Sequence, residues 1–334
     1  MKLSVLTSGR ENNLNALRLF AALFVVLSHI DGAPMCFILR DTIGQLGVLT
    51  FFFISGMLIT QSWLRDENPK RFLISRCLRI FPALIALVLV VAFMVGPIMT
   101  TLPLAEYFKS GQTYLYLTTI SLFHWNNTLP GMPIVELFNH ALWTLQYEFA
   151  FYLVIMALGI FKVLRFKYVM LALTIAALIW TQFTINQPYN IFTVNAEQIS
   201  RLFAYFSAGA TVYLFRDSIP LKKWWIRITL AVLFVGALFG GLPTSLFVFP
   251  LAYLVIYLGY SPTINLRALT KFGDFSYGIY IWHYPIVALI VFKYGLNGTF
   301  GVLLLIFGVT YSVAVASWYL IEKRALKLKG RLAL

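Results

Sequence analysis

Apolar residues in this chain gather into long continuous runs, with the polar residues falling mostly between them. A run of about 18 or more apolar residues is long enough to cross a bilayer as a helix. Ten windows of roughly this kind can be marked, over residues 14–31, 45–63, 78–100, 137–160, 166–185, 199–215, 224–240, 242–259, 274–294 and 299–321. The pattern predicts an all-α polytopic membrane protein of about ten transmembrane helices, forming one membrane domain over residues 1–334. Gly240, Gly241 and Pro243 alone separate the seventh window from the eighth. The segment from Thr101 to Glu136 is the long connection; it holds His124, Trp125, Asn126 and Asn127, and its aromatic run from Tyr114 to Phe123 has the character of a re-entrant or interfacial piece. No soluble domain, internal repeat or low-complexity stretch stands out.

Composition sharpens this picture. Of 334 residues 60% are hydrophobic and 11% charged, too apolar a balance for an ordinary soluble domain. A formal charge of +14 would suggest nucleic acid as a partner in a soluble protein; here the bilayer is the partner, nucleic acid is not, and the charge reports topology. With the amino terminus in the cytoplasm, 21 of the 26 Lys and Arg fall on the inner side, all but Arg18, Arg40, Lys109, Arg201 and Lys293. The positive-inside rule therefore puts both termini in the cytoplasm. The first window carries Arg18 and reads as a span rather than a cleaved signal. Cys36 and Cys77 are parted by a whole predicted span, so neither a disulfide nor a metal framework is expected.

Polar groups within the windows mark where chemistry could sit. A charge at the centre of a membrane helix costs roughly 2.5–3.5 kcal/mol on insertion scales, and is kept mainly where it faces a cavity or partner. Arg18 and His29 lie eleven residues apart, about three helical turns, which predicts one face and a separation of roughly 16 Å. Their structural reading is an arginine snorkelling to the interface and a histidine bonding a neighbouring helix. Ser55 and Gly56 interrupt a bulky aromatic run, and Gly56 is expected to seat another helix. Arg71, Arg76 and Arg79 cluster at the start of the third window, where guanidinium groups and helix N–H groups suit a phosphate-bearing donor or act as ordinary positive-inside anchors. In the fourth window Trp143 stands beside a stripe of His140, Thr144, Glu148 and Tyr152, and Glu148 must be protonated, paired or hydrated there. Ser276, Tyr280 and His283 share a face of the ninth, with Pro285 expected to kink the helix beside His283; an aromatic belt at the membrane surface is the plainer account.

Taken in order, these segments resemble acyltransferase family 3, a family of polytopic membrane acyltransferases. The resemblance rests on Arg18, ten residues and His29; on an aromatic pair followed by Ser-Gly, Phe52 to Gly56; on R-x-x-R-I-x-P, Arg76 to Pro82; on W-[ST]-L-x-x-E, Trp143 to Glu148; and on S-Y-x-x-Y-x-x-H-x-P, Ser276 to Pro285. It implies an enzyme that moves an acyl group, usually acetyl, from cytoplasmic acyl-CoA to a hydroxyl of a surface or lipid-linked glycan such as O-antigen or exopolysaccharide, in the bacterial inner membrane. The chain is expected to be of the stand-alone type, without a fused esterase-like domain. Within that expectation His29 is general base or nucleophile, with Glu148 orienting it. Arg71, Arg76 and Arg79 bind the donor's phosphates, and Arg18 lines its path. Tyr280, His283, Ser276, Trp143, His140 and Ser55 line the site or meet the acceptor. The competing class is a transporter or flippase for a lipid-linked glycan, in which the same polar groups form a substrate path; a triple-arginine entrance argues against it. A non-catalytic scaffold gives no reason for intramembrane Glu148 and His29.

Overall fold

The computed structural model describes residues 2–7, 12–30, 35–36, 38–39, 41–122, 128–132, 140–185, 190–191, 194–296 and 299–332. A helix occupies every apolar window. The ten are α1 (Leu14–Ser28), α2 (Ile43–Arg65), α3 (Pro69–Val90), α4 (Trp143–Ile160), α5 (Lys167–Thr184), α6 (Ala196–Leu214), α7 (Lys223–Leu238), α8 (Thr244–Tyr260), α9 (Ser276–Val287) and α10 (Phe300–Ser317). Three of them continue through π turns: α3 through Val91–Val95 into Gly96–Met99, α9 into Ala288–Lys293, and α10 through Trp318–Glu322 into Lys323–Lys327. Sheet among the described residues amounts to two antiparallel pairs of two-residue strands, Met35–Cys36 with Asp41–Thr42 and Asn190–Ile191 with Val194–Asn195.

Among the described residues five helices are long and apolar enough to cross a membrane: Ile43–Arg65, Pro69–Met99, Trp143–Ile160, Lys167–Thr184 and Phe300–Lys327. Those over Leu14–Ser28, Thr244–Tyr260 and Ser276–Val291 are apolar but shorter. At 1.5 Å per residue, 15 residues reach only about 22 Å against a hydrocarbon core of about 30 Å. The first window thus ends sooner than its hydropathy suggests. Ser28 turns its hydroxyl back onto the Val25 carbonyl at 2.8 Å, the local bond by which serine competes with helix continuation, and His29 is the first residue beyond the helix. What positions His29 is a helix end rather than a helix face shared with Arg18. In the fourth window, α4 begins at Trp143 and His140 sits in a 3₁₀ turn, His140–Leu142, so the expected stripe starts in helix only at Thr144. The seventh and eighth windows are separated as the glycines suggested. Gly240 and Gly241 adopt φ of +77° and +98°, a left-handed conformation open to glycine, and the Gly241 N–H caps the Gly236 carbonyl at 2.7 Å.

The chain forms two compact units. The first comprises residues 1–28, 33–72 and 150–274. Here α6 lies against α2 and α5, and α1 against α2. Glycines set the closeness of α2 and α6: a Cβ on Gly56 would stand 1.9 Å from the Phe206 carbonyl oxygen, and one on Gly209 2.0 Å from that of Phe53. Gly56 does seat another helix, with its backbone reaching the partner backbone. Asn13 ties the start of α1 to the end of α8, its amide nitrogen donating to the Leu258 and Ile264 carbonyls, both at 2.8 Å, while its oxygen accepts the Leu266 N–H at 2.9 Å. Arg201 pairs with Asp41 at 3.2 Å.

The second unit comprises residues 29–32, 73–149 and 275–334. Its centre is α9, whose side chains are buried on every side except at Tyr284, as expected of a helix apolar all round. Gly278 lets α9 approach α10 at Ala314, and the Tyr277 hydroxyl donates to the Ile80 carbonyl of α3 at 2.8 Å. The long connection folds into short helices, Leu104–Lys109 and Gly111–Leu115, followed by a 3₁₀ segment, Tyr116–Ser121. Tyr107 and Tyr116 are wholly buried. Burial pushes the Tyr107 hydroxyl up to about 12, keeping it a donor to the Ala92 carbonyl at 2.7 Å. His124, Trp125, Asn126 and Asn127 lie outside the described residues.

Candidate functional site

The polar side chains singled out in the apolar windows meet partners in small sets, each within one unit. In the second unit His29 meets His283 of α9. His283 is fully buried; its Nδ1 stands 2.7 Å from the Tyr280 carbonyl oxygen and its Nε2 3.2 Å from His29 Nδ1. The two imidazole centroids are 5.0 Å apart, and the Tyr284 ring meets His29 edge-on at 4.9 Å.

One turn earlier on α9, Tyr280 joins the start of α4. Its hydroxyl donates to the Ala141 carbonyl at 2.5 Å and is also hydrogen-bonded to the Thr144 hydroxyl. A phenol has one proton, so with Ala141 receiving it, Thr144 donates to the tyrosine oxygen. Tyr280 is thus held by two bonds. Glu148, one turn along α4 from Thr144, lies within electrostatic range of the Tyr280 hydroxyl. Trp143 packs edge-on against Tyr147 at 5.8 Å, and Ser276, first residue of α9, is fully buried. Sequence reasoning joined His29 to Glu148; to that the structure adds His283, with its Nε2 3.2 Å from His29 Nδ1.

The arginines divide. In the first unit Arg18 pairs with Asp274 at 2.7 Å, both largely buried at 19% and 13% side-chain exposure, and its guanidinium lies over the Phe51 ring. Arg71, also there, makes an exposed pair with Asp66 at 3.7 Å. Ser55 is half-buried beside Gly56. In the second unit Arg76 donates through Nε and Nη2 to the Ser75 hydroxyl at 3.1 and 3.0 Å. Arg79 stands 3.6 Å from Glu322 and 5.6 Å above the centre of the Tyr277 ring. Glu322, at 2% exposure, accepts from the Ser317 hydroxyl at 3.1 Å. Glu322 is the last residue of the π turn Trp318–Glu322. Such turns recur at functional sites.

Asp274, Glu322 and Tyr277 were absent from the candidates read from sequence, whereas Thr144 belonged to the polar stripe of the fourth window. Asp274 opens the ninth window and Glu322 lies one residue past the tenth, where acids are ordinary; the available signal was the opposite charge within other windows, Arg18 in the first and Arg79 in the third, that needed a partner. Among the described residues no group of three or more His, Cys, Asp or Glu stands close enough to hold a metal ion.

The second unit offers a histidine whose ring is hydrogen-bonded to a second histidine, together with the guanidinium groups of Arg76 and Arg79, which the structure places about two and three turns into α3 rather than at its start. The first is suited to proton transfer or nucleophilic attack, the second to phosphate. Comparison with known proteins points the same way. Nodulation protein 10 of Rhizobium leguminosarum bv. viciae is 31% identical, with 98% of this chain and 96% of that protein covered. An O-acetyl transferase of Shigella phage Sf6 is 24% identical over 95% of this chain and 96% of its own, and the putative membrane-bound transacylase BcsY of Komagataeibacter xylinus 27% over 97% and 85%. No solved structure matches. The family model described as an acyltransferase domain covers residues 11–321, and the chain belongs to that family, acyltransferase family 3, as an integral membrane enzyme.

Proposed function

We propose that this acyltransferase carries an acetyl group from acetyl-CoA in the cytoplasm to a hydroxyl of a surface or lipid-linked glycan, in the inner membrane of a bacterium. Ten spans with both termini cytoplasmic would bring donor and acceptor to opposite faces, as the distribution of Lys and Arg suggests. The O-acetyl transferase of the Sf6 relative supports acetyl and an oxygen acceptor. The single observation that carries the reading is His29, just past the end of an apolar helix, hydrogen-bonded to His283.

In this reading His29 takes the proton of the acceptor hydroxyl as its oxygen attacks the acyl carbonyl. The C–S bond of the thioester breaks, and the proton passes to the departing thiolate. Alternatively His29 attacks first and holds the acyl group for the acceptor. Arg76 and Arg79, with Arg71, would grip the donor's phosphates by paired N–H bonds, for which lysine is a poor substitute. Arg18, held by Asp274, would line the donor's approach. Glu148, Tyr280, Ser276, Trp143, His140 and Ser55 would shape the site or meet the acceptor, Tyr280 as a positioned wall more than as a proton donor.

The test is mass spectrometry of surface glycan from cells with the intact chain, with His29→Ala, or with neither, at matched membrane levels. One acetyl mass per modified sugar, present only with the intact chain, is the expected result. Equal modification by His29→Ala would remove His29 from the reaction. Unmodified glycan that reaches the surface only with the chain present would favour the flippase. Incubation with donor alone separates the two roles of His29, since only the nucleophile acquires an acyl mass.

A further inference from the structure

We propose that His283 fixes His29 as the tautomer protonated on Nδ1, so that the atom of His29 that reacts is Nε2. The inference deepens the reading of His29 as the reacting group and rests on it for its catalytic meaning, though not for its geometry.

The chain of donors starts at a backbone carbonyl. The Tyr280 oxygen, 2.7 Å from His283 Nδ1, can only accept, so Nδ1 carries hydrogen. Neutral imidazole has one N–H, which leaves a lone pair on His283 Nε2. That atom faces His29 Nδ1 at 3.2 Å. For this contact to be a hydrogen bond, His29 Nδ1 must be the donor, and the lone pair of a neutral His29 then lies on Nε2. The opposite arrangement needs His283 as an imidazolium donating from Nε2, a buried cation whose partners are the backbone at Tyr280 and Ile279 and another imidazole, with no carboxylate among them. Burying an unpaired charge is strongly unfavourable. The rings packed on His283 are those of Tyr280, Tyr284 and His29, with no carboxylate among them.

The consequence appears during the reaction. When His29 Nε2 takes the acceptor's proton, the imidazolium keeps donating through Nδ1 to His283 Nε2, and the bond becomes charge-assisted and stronger. His283 thereby does for His29 what a carboxylate does in a serine-protease triad, holding ring and tautomer, with a neutral acceptor in place of an anion. His283 is a positioning residue: it acts through His29.

The chain has four histidines, so ¹⁵N-histidine labelling of the detergent-solubilised full chain gives few enough imidazoles to resolve, and the loss of a signal in His29→Gln assigns His29. The expected spectrum shows hydrogen on Nδ1 of His29 in the intact chain. His283→Gln can present its amide oxygen near the place of Nε2, and should keep that tautomer and hold turnover within about tenfold. His283→Leu offers no acceptor; it should lose the tautomer and lower kcat by about 10²–10⁴-fold, the range of general base catalysis, with the KM for the donor little changed. Hydrogen on Nε2 of His29 in the intact chain would overturn the proposal. So would an unchanged tautomer in His283→Leu, or a folded His283→Gln no more active than His283→Leu. If the tautomer behaves as stated while His29→Ala still acetylates glycan, the tautomer assignment stands and the reading of His29 as the reacting group fails.

Discussion

A guanidinium and a buried carboxylate stand 3.6 Å apart at Arg79 and Glu322. Removing one member of a buried pair leaves the other charged and desolvated, at a cost of about 3–5 kcal/mol, whereas replacing both by apolar groups is often neutral. Arg79→Met and Glu322→Leu should each lower the unfolding temperature in detergent, and the double variant should regain much of the loss. Donor binding should not recover with it. If Arg79 grips phosphate, the stable double variant loses charge-assisted bonds of about 1.5–3 kcal/mol, and its KM for acetyl-CoA rises by about ten- to a hundredfold in a donor titration. An unchanged KM would make Arg79 purely structural. At this scale the sequence was informative where a residue was out of place: Arg18, His29 and His283 stand out against apolar neighbours. Asp274 and Glu322 did not, because an acid at the edge of a span is unremarkable until its distant partner is known, and neither spacing nor hydropathy joins Arg79 to a residue 243 positions later.

Between α2 and α6 the limit on approach is backbone against backbone. The carbonyl of Phe206 cannot yield as a side chain can, so Gly56→Ala, with its new Cβ 1.9 Å from that oxygen, should destabilise the fold by about 1–3 kcal/mol, the usual range for overpacking. Gly308 in α10 is the matched control. A Cβ there meets nothing within 4 Å, so Gly308→Ala should be neutral or stabilise by up to about 1 kcal/mol through helix propensity. Thermal unfolding of the two variants side by side decides the point. The sequence showed that Gly56 would pack closely but could not say against which helix, because close approach is a property of a pair. Likewise the hydropathy of residues 14–31 ran past the end of α1, since hydropathy does not register the Ser28 to Val25 bond that accompanies its last turn.

Across the whole molecule, Lys and Arg are the guide to orientation. Green fluorescent protein fused after Leu334 should fluoresce, and alkaline phosphatase fused there should be inactive; the reverse pair of signals would invert the proposed topology. Hydropathy marked ten windows, each of which holds a helix, but five of the described helices are long and apolar enough to cross a membrane, because burial in lipid or in protein asks the same thing of a sequence. The division into two units was not legible, since each is assembled from three separated stretches and no boundary in composition marks the crossings.

The two units also differ in how their helices are wound. All three π turns, Val91–Val95, Ala288–Lys293 and Trp318–Glu322, fall in the second unit, and none occurs among the described residues of the first. A π turn is a helix that has absorbed one extra residue. A regular helix passes any change of length onward as a rotation of about 100° for every side chain beyond it, whereas a π turn can give its residue back and leave both flanks facing as before. Deleting one residue from the π turn Ala288–Lys293 should therefore leave His283 facing as before, a slack in chain length that the regular, glycine-locked helices of the first unit lack.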